Sequence, residues 1–287
     1  YGMAGARIGY AIGAEELIRS FDKIRNHFGM NRVAQAGALA ALQDHGWLDY
    51  VCRKVDESRH EIARIADATS ESLIGEMKLT WWRDAVSDLY AETPKVRRHD
   101  VTEALAPLTH LLPQGELLDL IDARFDDIAA APHADLDALL DYVDRTSGRL
   151  IRLSLILTQG ELPEAQSRDA GRAWGLTGLM RAFAWRARIG RAPVAGDYLT
   201  ELGGTPAMLA QGLGPDKAKA AIQPVRAIAE DAARGFRAAG PLPIEAVPAA
   251  GYVVLARAYL KRLPDNPFEV ARERSRLARQ ARVLPIP

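Results

Sequence analysis

An arginine-rich stretch is the part of this sequence best equipped for chemistry. Five arginines and no acidic residue lie between Gly171 and Arg191, in a pattern typical of a helix closed by Gly190-Arg191. Guanidinium groups form paired, charge-assisted hydrogen bonds with phosphates and carboxylates. Arg181, Arg186 and Arg191 are therefore candidates for binding a phosphate, a lipid head group or an acidic partner. The alternative is a solvated helix face whose long side chains reach water.

Carboxylates offer a second kind of chemistry. Aspartates four residues apart on a helix point to one face, and Mg²⁺ prefers oxygen ligands. Three pairs have this spacing, and they are Asp84 with Asp88, Asp122 with Asp126, and Asp137 with Asp141. The first two pairs are weak candidates for a metal site, and solvated helix faces are the alternative.

Composition narrows the class of protein. The 287 residues are 48% hydrophobic and 26% charged, which is typical of a globular protein. The 37 basic and 37 acidic side chains cancel, so no overall field attracts nucleic acid. A single cysteine, Cys52, is compatible with a reducing compartment, and the six histidines have no zinc-binding spacing. We expect a cytoplasmic protein that does not bind nucleic acid.

Apolar periodicity predicts the elements that position these residues. Apart from one strand over Arg7–Ile12, the pattern is helical and is broken at Gly and Pro clusters. The predicted helices cover residues 14–25, 31–44, 47–68, 70–90, 99–112, 115–130, 135–158, 164–189, 215–238, 245–262 and 267–283. An all-α assembly with short connections follows.

No stretch of the sequence predicts a membrane-spanning helix. The longest uncharged apolar run, Ala246 to Ala256, is too short to cross a bilayer. An amphipathic helix can still lie on a membrane surface. We therefore expect, at most, peripheral contact with the inner membrane.

Three stretches carry a resemblance to a known family. Residues 75–84 read GEMKLTWWRD, and with the arginine-rich stretch and the C-terminal helix through Tyr259 they resemble the squalene/phytoene synthase family. The likeness covers about 225 residues and implies an isoprenoid-synthase-like helical bundle over residues 67–287 that lacks its N-terminal part. In the family's second aspartate-rich motif, Arg181 matches the arginine, whereas Ala182 and Arg186 stand where the two aspartates belong.

The replaced aspartates govern the function that this resemblance implies. In the family, the aspartates hold the Mg²⁺ that a prenyl diphosphate needs for ionisation, and neither a methyl group nor a guanidinium coordinates Mg²⁺. The resemblance therefore implies the aspartate-poor branch that includes complex I assembly factors, with a non-catalytic or scaffold role. The alternative is an active farnesyl or geranylgeranyl diphosphate transferase that uses Mg²⁺ held by surrogate carboxylates.

The front of the chain resembles a different family. Tyr1–Gly9 and the sequence from Lys23 to Leu42 are similar to class I and II aminotransferases, histidinol-phosphate aminotransferase above all. Arg7 then matches the residue that grips the phosphate of pyridoxal phosphate. The matching Schiff-base lysine falls two positions before Tyr1, so we do not expect transamination by this chain. Residues 1–66 are predicted to be a partial aminotransferase, either a genuine fusion or a join made when the gene was read.

Overall fold

A computed structural model describes residues 72–269 of the chain. The predicted strand over residues 7–12, the helices before residue 70 and the helix over 267–283 lie wholly or mostly outside the described residues, as does Arg7. Contacts divide the chain into two units, residues 1–61 and 62–287, and every described residue belongs to the second.

The described residues form a helical domain, and no strand occurs within 72–269. Short 3₁₀ turns and one π-helical turn join several of its helices. The α-helices are α1 Ser72–Leu89, α2 Asp100–Leu105, α3 Gln114–Asp122, α4 Leu136–Val143, α5 Arg149–Thr158, α6 Glu164–Arg181, α7 Phe183–Arg188, α8 Gly196–Glu201, α9 Pro206–Ala210, α10 Pro215–Ala238, α11 Val247–Ala250 and α12 Ala256–Leu260. The all-α prediction is confirmed.

The helices α6 and α10 form the most extensive helix pair of the domain. Helix α10 begins with Pro215 at its first position, where the missing N–H costs nothing, and Gly214 before it takes a left-handed φ of 67°. Small residues such as Ala170, Ala173, Ala229 and Ala232 are buried in the main core. Because these side chains are short, the backbones of neighbouring helices can approach closely.

Two predicted long helices are interrupted where they reach the interior. The stretch predicted as 135–158 contains a π-helical turn, Asp144–Gly148, between α4 and α5. The stretch predicted as 164–189 breaks at Ala182, whose backbone (φ −94°, ψ 13°) leaves the helical region between α6 and α7. Periodicity averages over several turns and so cannot locate a one-residue break.

A second, smaller core lies between α1, α3 and α5. Trp82 is 3% exposed within it, and the Trp81 ring meets the Trp82 ring edge-on with centroids 4.9 Å apart. On the other side of α1, Leu73 and Met77 are exposed. The residues of α1 that pack into the second core are Leu79, Trp82 and Val86.

The short helices α8 and α9 were not predicted. They hold six and five residues, less than the window over which a helical period can be recognised. Among the described residues, no helix has both the length and the apolar character needed to cross a membrane.

Candidate functional site

Asp127 is the centre of a buried charge cluster. Its carboxylate accepts hydrogen bonds from Arg124 (Nη1 to Oδ2, 3.1 Å), from Arg186 (Nη2 to Oδ1, 3.1 Å) and from the Tyr142 hydroxyl (2.9 Å to Oδ1). Arg191 lies 3.7 Å from the same carboxylate and donates to the Asp127 backbone carbonyl. Three guanidinium groups therefore surround one carboxylate.

Local backbone geometry brings these groups together. Arg124 and Asp127 share a 3₁₀ turn, Ala123–Asp127, that continues directly from α3. At the end of α7 the chain turns at Gly190, whose φ of 78° favours glycine and whose Cα lies so near Ala130 that a Cβ would approach the Ala130 oxygen to 2.7 Å. This turn directs Arg191 back toward Asp127.

The cluster sets the charge states of its members. Burial works to raise the pKa of Asp127, but the charges of Arg124 and Arg186 and the hydrogen bonds from Arg124 and Tyr142 outweigh it, so the pKa lies below its ordinary value. Burial, and then the Asp127 charge, raises the pKa of the Tyr142 hydroxyl. Asp127 is therefore ionised and Tyr142 neutral near pH 7.

Beside the cluster lies His133, whose ring is tilted by 41° to the Tyr142 ring, with the two centroids 4.8 Å apart. Burial lowers the pKa of His133 and the Arg186 charge adds to this effect, against the opposing charges of Asp126 and Asp127. A small cavity of about 10 Å³, with room for about one water molecule, lies here. It is lined by His133, Asp126, Arg186 and Arg191, among others.

A larger cavity of about 260 Å³ opens next to the cluster. Arg124, Tyr142 and Arg186 form its polar side, and Trp174 and Leu179 contribute to its apolar side. The rest of the wall comes from the end of α4, the π-helical turn, and α6 with the residue after it, and its members are Val143, Thr146, Ser147, Gly175, Gly178 and Ala182. Among the described residues, no Asp or Glu lines this cavity.

The arginine-rich stretch is divided by the fold. Arg186 and Arg191 converge on Asp127 and have side chains only 14% and 9% exposed, so they do not form a solvated face. Arg181 lies elsewhere, with its guanidinium 4.1 Å from the centre of the Tyr259 ring. Arg172 pairs with Asp144 at 2.6 Å. The structure thus brings together two of the three predicted anion-binding arginines and adds Arg124.

The aspartates proposed as surrogate metal ligands lie against arginines. Arg97 pairs with Asp88 at 2.8 Å and with Asp84 at 3.9 Å. Arg83 pairs with Asp122 at 3.0 Å, and Asp126 lines the small cavity with Arg186 and Arg191. Within residues 72–269, no group of three or more His, Cys, Asp or Glu side chains is placed to hold a metal ion.

Comparison with solved structures identifies the type of fold. The chain is similar to the squalene synthase HpnC from Alicyclobacillus acidocaldarius (TM-score 0.56, 17% identity, 74% of this chain and 91% of that one). It is also similar to a dehydrosqualene synthase solved in complex with a ligand (TM-score 0.59, 18% identity, 77% of this chain and 81% of that one). The described helices are therefore those of a squalene-synthase-type, isoprenoid-synthase-like fold.

The sequence assigns the family. The squalene/phytoene synthase family model matches residues 58–282, and the chain belongs to that family. A model for class I and II aminotransferases matches residues 1–81. The two matches overlap over residues 58–81, so a domain boundary at residue 66 stays a prediction.

Two curated relatives reflect these two parts. Complex I assembly factor 6 of Mus musculus is 28% identical over 124 residues, covering 42% of this chain and 37% of the relative. Histidinol-phosphate aminotransferase of Geobacter sp. (strain M21) is 46% identical over 59 residues, covering 21% of this chain and 17% of the relative. The chain thus spans less than two fifths of the length of either relative.

The Mg²⁺ that the family motif implies does not fit the residues of this chain. Ala182 presents a methyl group and Arg186 a guanidinium at the two aspartate positions, and Arg186 is held by Asp127. A second cation placed beside that guanidinium would be repelled. The described residues offer a fixed positive charge where the motif would offer two negative ones.

The sequence pattern did not single out Arg124, Asp127 or Tyr142 as candidate site residues. The one available signal was the three-residue spacing of Arg124 and Asp127. Their convergence with Arg186, 59 residues further along the chain, depends on how α3, α4 and α7 pack.

Proposed function

We propose that the synthase-like domain of this chain is not a prenyl diphosphate synthase and acts as a non-catalytic scaffold of the assembly-factor type. The observation that carries the proposal is the pairing of Arg186 with Asp127. The second motif position, which would present a carboxylate to Mg²⁺, is instead engaged in a buried ion pair. Ala182, at the other position, has no group that could compensate.

A turnover assay tests the loss of catalysis. The purified chain is incubated with farnesyl or geranylgeranyl diphosphate and Mg²⁺, and released pyrophosphate is measured beside an active squalene synthase. We expect no release above the protein-free background, because the described residues lack the carboxylates that would hold the metal. Pyrophosphate released in proportion to the amount of chain would establish the alternative, an active prenyl transferase.

The assembly role draws its support from the relative in Mus musculus, which is named as an assembly factor of complex I. The test is deletion of the gene in its own host, followed by measurement of assembled NADH dehydrogenase (ubiquinone) complex I in the membranes. We expect the assembled complex to fall and a plasmid copy of the chain to restore it. An unchanged amount of assembled complex I would refute the assembly role. It would not be evidence for prenyl transferase activity, which the pyrophosphate assay tests separately.

A protein partner, peripheral membrane contact and a cytoplasmic location belong to the same proposal. We assign no role in this function to the aminotransferase-like part, because Arg7 lies outside the described residues. Adding pyridoxal phosphate and recording the aldimine absorbance band tests that part. We expect no band.

A further inference from the structure

Cations line the first half of α10 beside the chain that leaves α12. Arg226 donates to the backbone carbonyl of Leu260, with its Nη2 3.4 Å from that oxygen. The Lys219 Nζ lies 3.4 Å from the Asp265 Oδ1. Because Lys219 and Arg226 are seven residues apart, they share one face of the helix. The stretch from Leu260 to Asp265 therefore runs along this face of α10.

Two further cations lie on that stretch. Lys261 and Arg262 are exposed, and neither side chain has an ion pair within residues 72–269. The two cations on α10 have acidic partners, Asp265 at 3.4 Å and Glu230 at 3.0 Å. These four basic residues, two on α10 and two after α12, are the basic strip. It carries an excess of positive charge.

The chain beyond the strip adds to this charge. Phe268 packs against the main core, and Pro267 lines one shallow crevice with Lys219 and Arg226. The chain is thus held beside the strip up to its last described residues. Residues 270–287 lie outside the described residues, and their sequence holds five arginines and one glutamate. A basic sequence therefore follows a basic strip, in a chain whose formal net charge is zero.

The spacing in this terminal sequence predicts an amphipathic helix. Apolar residues recur every seven positions along one face, and arginines recur at four and three along the other. They are Val270, Leu277 and Leu284 on the first face, and Arg272, Arg276 and Arg279 on the second. A basic face opposed to an apolar one is typical of a helix that lies on a membrane surface.

From these observations we infer that the basic strip and residues 270–284 together form a surface that binds an anionic lipid bilayer. The cations would lie near the lipid phosphates and the apolar face among the upper parts of the acyl chains. Nucleic acid would meet only the cations, whereas a bilayer offers both negative charge and an apolar layer. The inference gives a location to the peripheral membrane contact of the proposed function, and it rests on that proposal.

The experiment is co-sedimentation of the full chain with two kinds of vesicle. One kind is phosphatidylcholine alone, and in the other phosphatidylglycerol makes up about one third of the lipid. We expect binding to the anionic vesicles and at least about tenfold weaker binding to the neutral ones. Salt raised from about 0.1 M to about 1 M should weaken the binding, because the Debye length falls from about 10 Å to about 3 Å.

Charge variants test the location. Each cation near an anionic surface contributes about a fivefold gain in binding. The triple variant Arg272→Gln/Arg276→Gln/Arg279→Gln should therefore bind the anionic vesicles about a hundredfold more weakly. The strip variant Lys261→Gln/Arg262→Gln should bind them about twentyfold more weakly, and near-ultraviolet circular dichroism checks that each variant is folded.

A control variant and an apolar variant complete the test. Arg168→Gln/Arg234→Gln/Arg237→Gln removes three exposed arginines from α6 and from the far end of α10, and should weaken binding less than about fivefold. Leu277→Ser/Leu284→Ser keeps every charge and should weaken binding about tenfold or more.

Four results would overturn the inference. They are no binding to anionic vesicles, equal binding to neutral ones, equal losses in the control and the triple charge variant, and full binding by Leu277→Ser/Leu284→Ser. The last result would indicate a partner recognised by charge alone, such as an acidic protein or a nucleic acid. Pyrophosphate release and the amount of complex I are measured independently, so this inference and the proposed function can fail separately.

Discussion

Arg186 and Asp127 form a buried ion pair across 59 positions of the chain, with the Arg186 Nη2 3.1 Å from the Asp127 Oδ1 and both side chains largely hidden from water. The pair joins the end of the arginine-rich segment to the 3₁₀ turn after α3. The resemblance to the squalene/phytoene synthase family predicts that Arg186 stands at a motif position that ordinarily carries an aspartate.

Asp127→Asn should destabilise the domain by about 3–5 kcal/mol, because it leaves the guanidiniums of Arg124 and Arg186 buried without their counter-ion. The measurement is urea unfolding followed by circular dichroism. Asp141→Asn is the control, since Asp141 is 64% exposed and its pair with Arg145 should contribute at most about 1 kcal/mol. Equal effects of the two substitutions would show that the cluster does not stabilise the fold.

Tyr142→Phe should cost about 1.5–3 kcal/mol of unfolding free energy, because the lost hydroxyl donates to the charged Asp127 carboxylate and accepts from Arg124. The ring itself is retained, so packing against His133 is preserved. The same urea titration measures the effect. A change below about 0.5 kcal/mol would mean that water replaces the hydroxyl in the cluster.

Two glycines of α6 should respond oppositely to alanine. A Cβ at Gly171 would lie 2.5 Å from the Cα of Gly148, so Gly171→Ala must push α6 away from the π-helical turn and should cost about 1–3 kcal/mol. Gly178→Ala meets nothing within 4 Å and should stabilise the helix by up to about 1 kcal/mol. Thermal unfolding of both variants compares them, and a stabilising Gly171→Ala would contradict the close crossing.

Stability should fall on mild acidification through His133. Burial lowers the pKa of this histidine in the folded state, so the unfolded chain takes up the proton first as the pH falls. The contribution of neutral His133 to stability is fully present above its pKa in the unfolded chain, which is about 6.5. It is lost as the pH drops toward the lower pKa of the folded state. Unfolding free energies between about pH 7.5 and pH 5 measure this slope.

The control for this pH dependence is the exposed His110. His133→Gln should flatten the slope and His110→Gln should not. A separate decline below about pH 4 is expected from Asp127, because a carboxyl with a lowered pKa contributes stability above its unfolded value and loses it as the pH falls through the folded one. If the dependence of the unfolding free energy on pH is the same in His133→Gln, a group other than His133 causes the loss of stability in mild acid.

Much of the fold could be predicted, because a helix shows in the spacing of its apolar residues and in the residue types at its two ends. The 24-residue helix α10 was predicted with its observed ends, since Gly214 and Pro215 mark its start and Gly240 and Pro241 follow its end. The helices α8 and α9 were not predicted, because they are too short to show a period.

The candidate site was predictable only in part. The absence of carboxylates at Ala182 and Arg186 is a property of residue types and could be stated from the motif alone. The separation of Arg181, which lies over Tyr259, from Arg186 could not, because a break at Ala182 reorients the chain between them. The cluster with Asp127 also escaped sequence reasoning, since its members come from four separate segments.

The sequence by itself determined the helical class and the family, because each depends on residue identity and short-range spacing. Only the tertiary structure decided that Arg186 is buried against Asp127, that a cavity opens beside it, and that the arginines do not form one surface. The physical reason is that an ion pair or a cavity depends on how distant segments pack, and a local pattern carries no record of that packing.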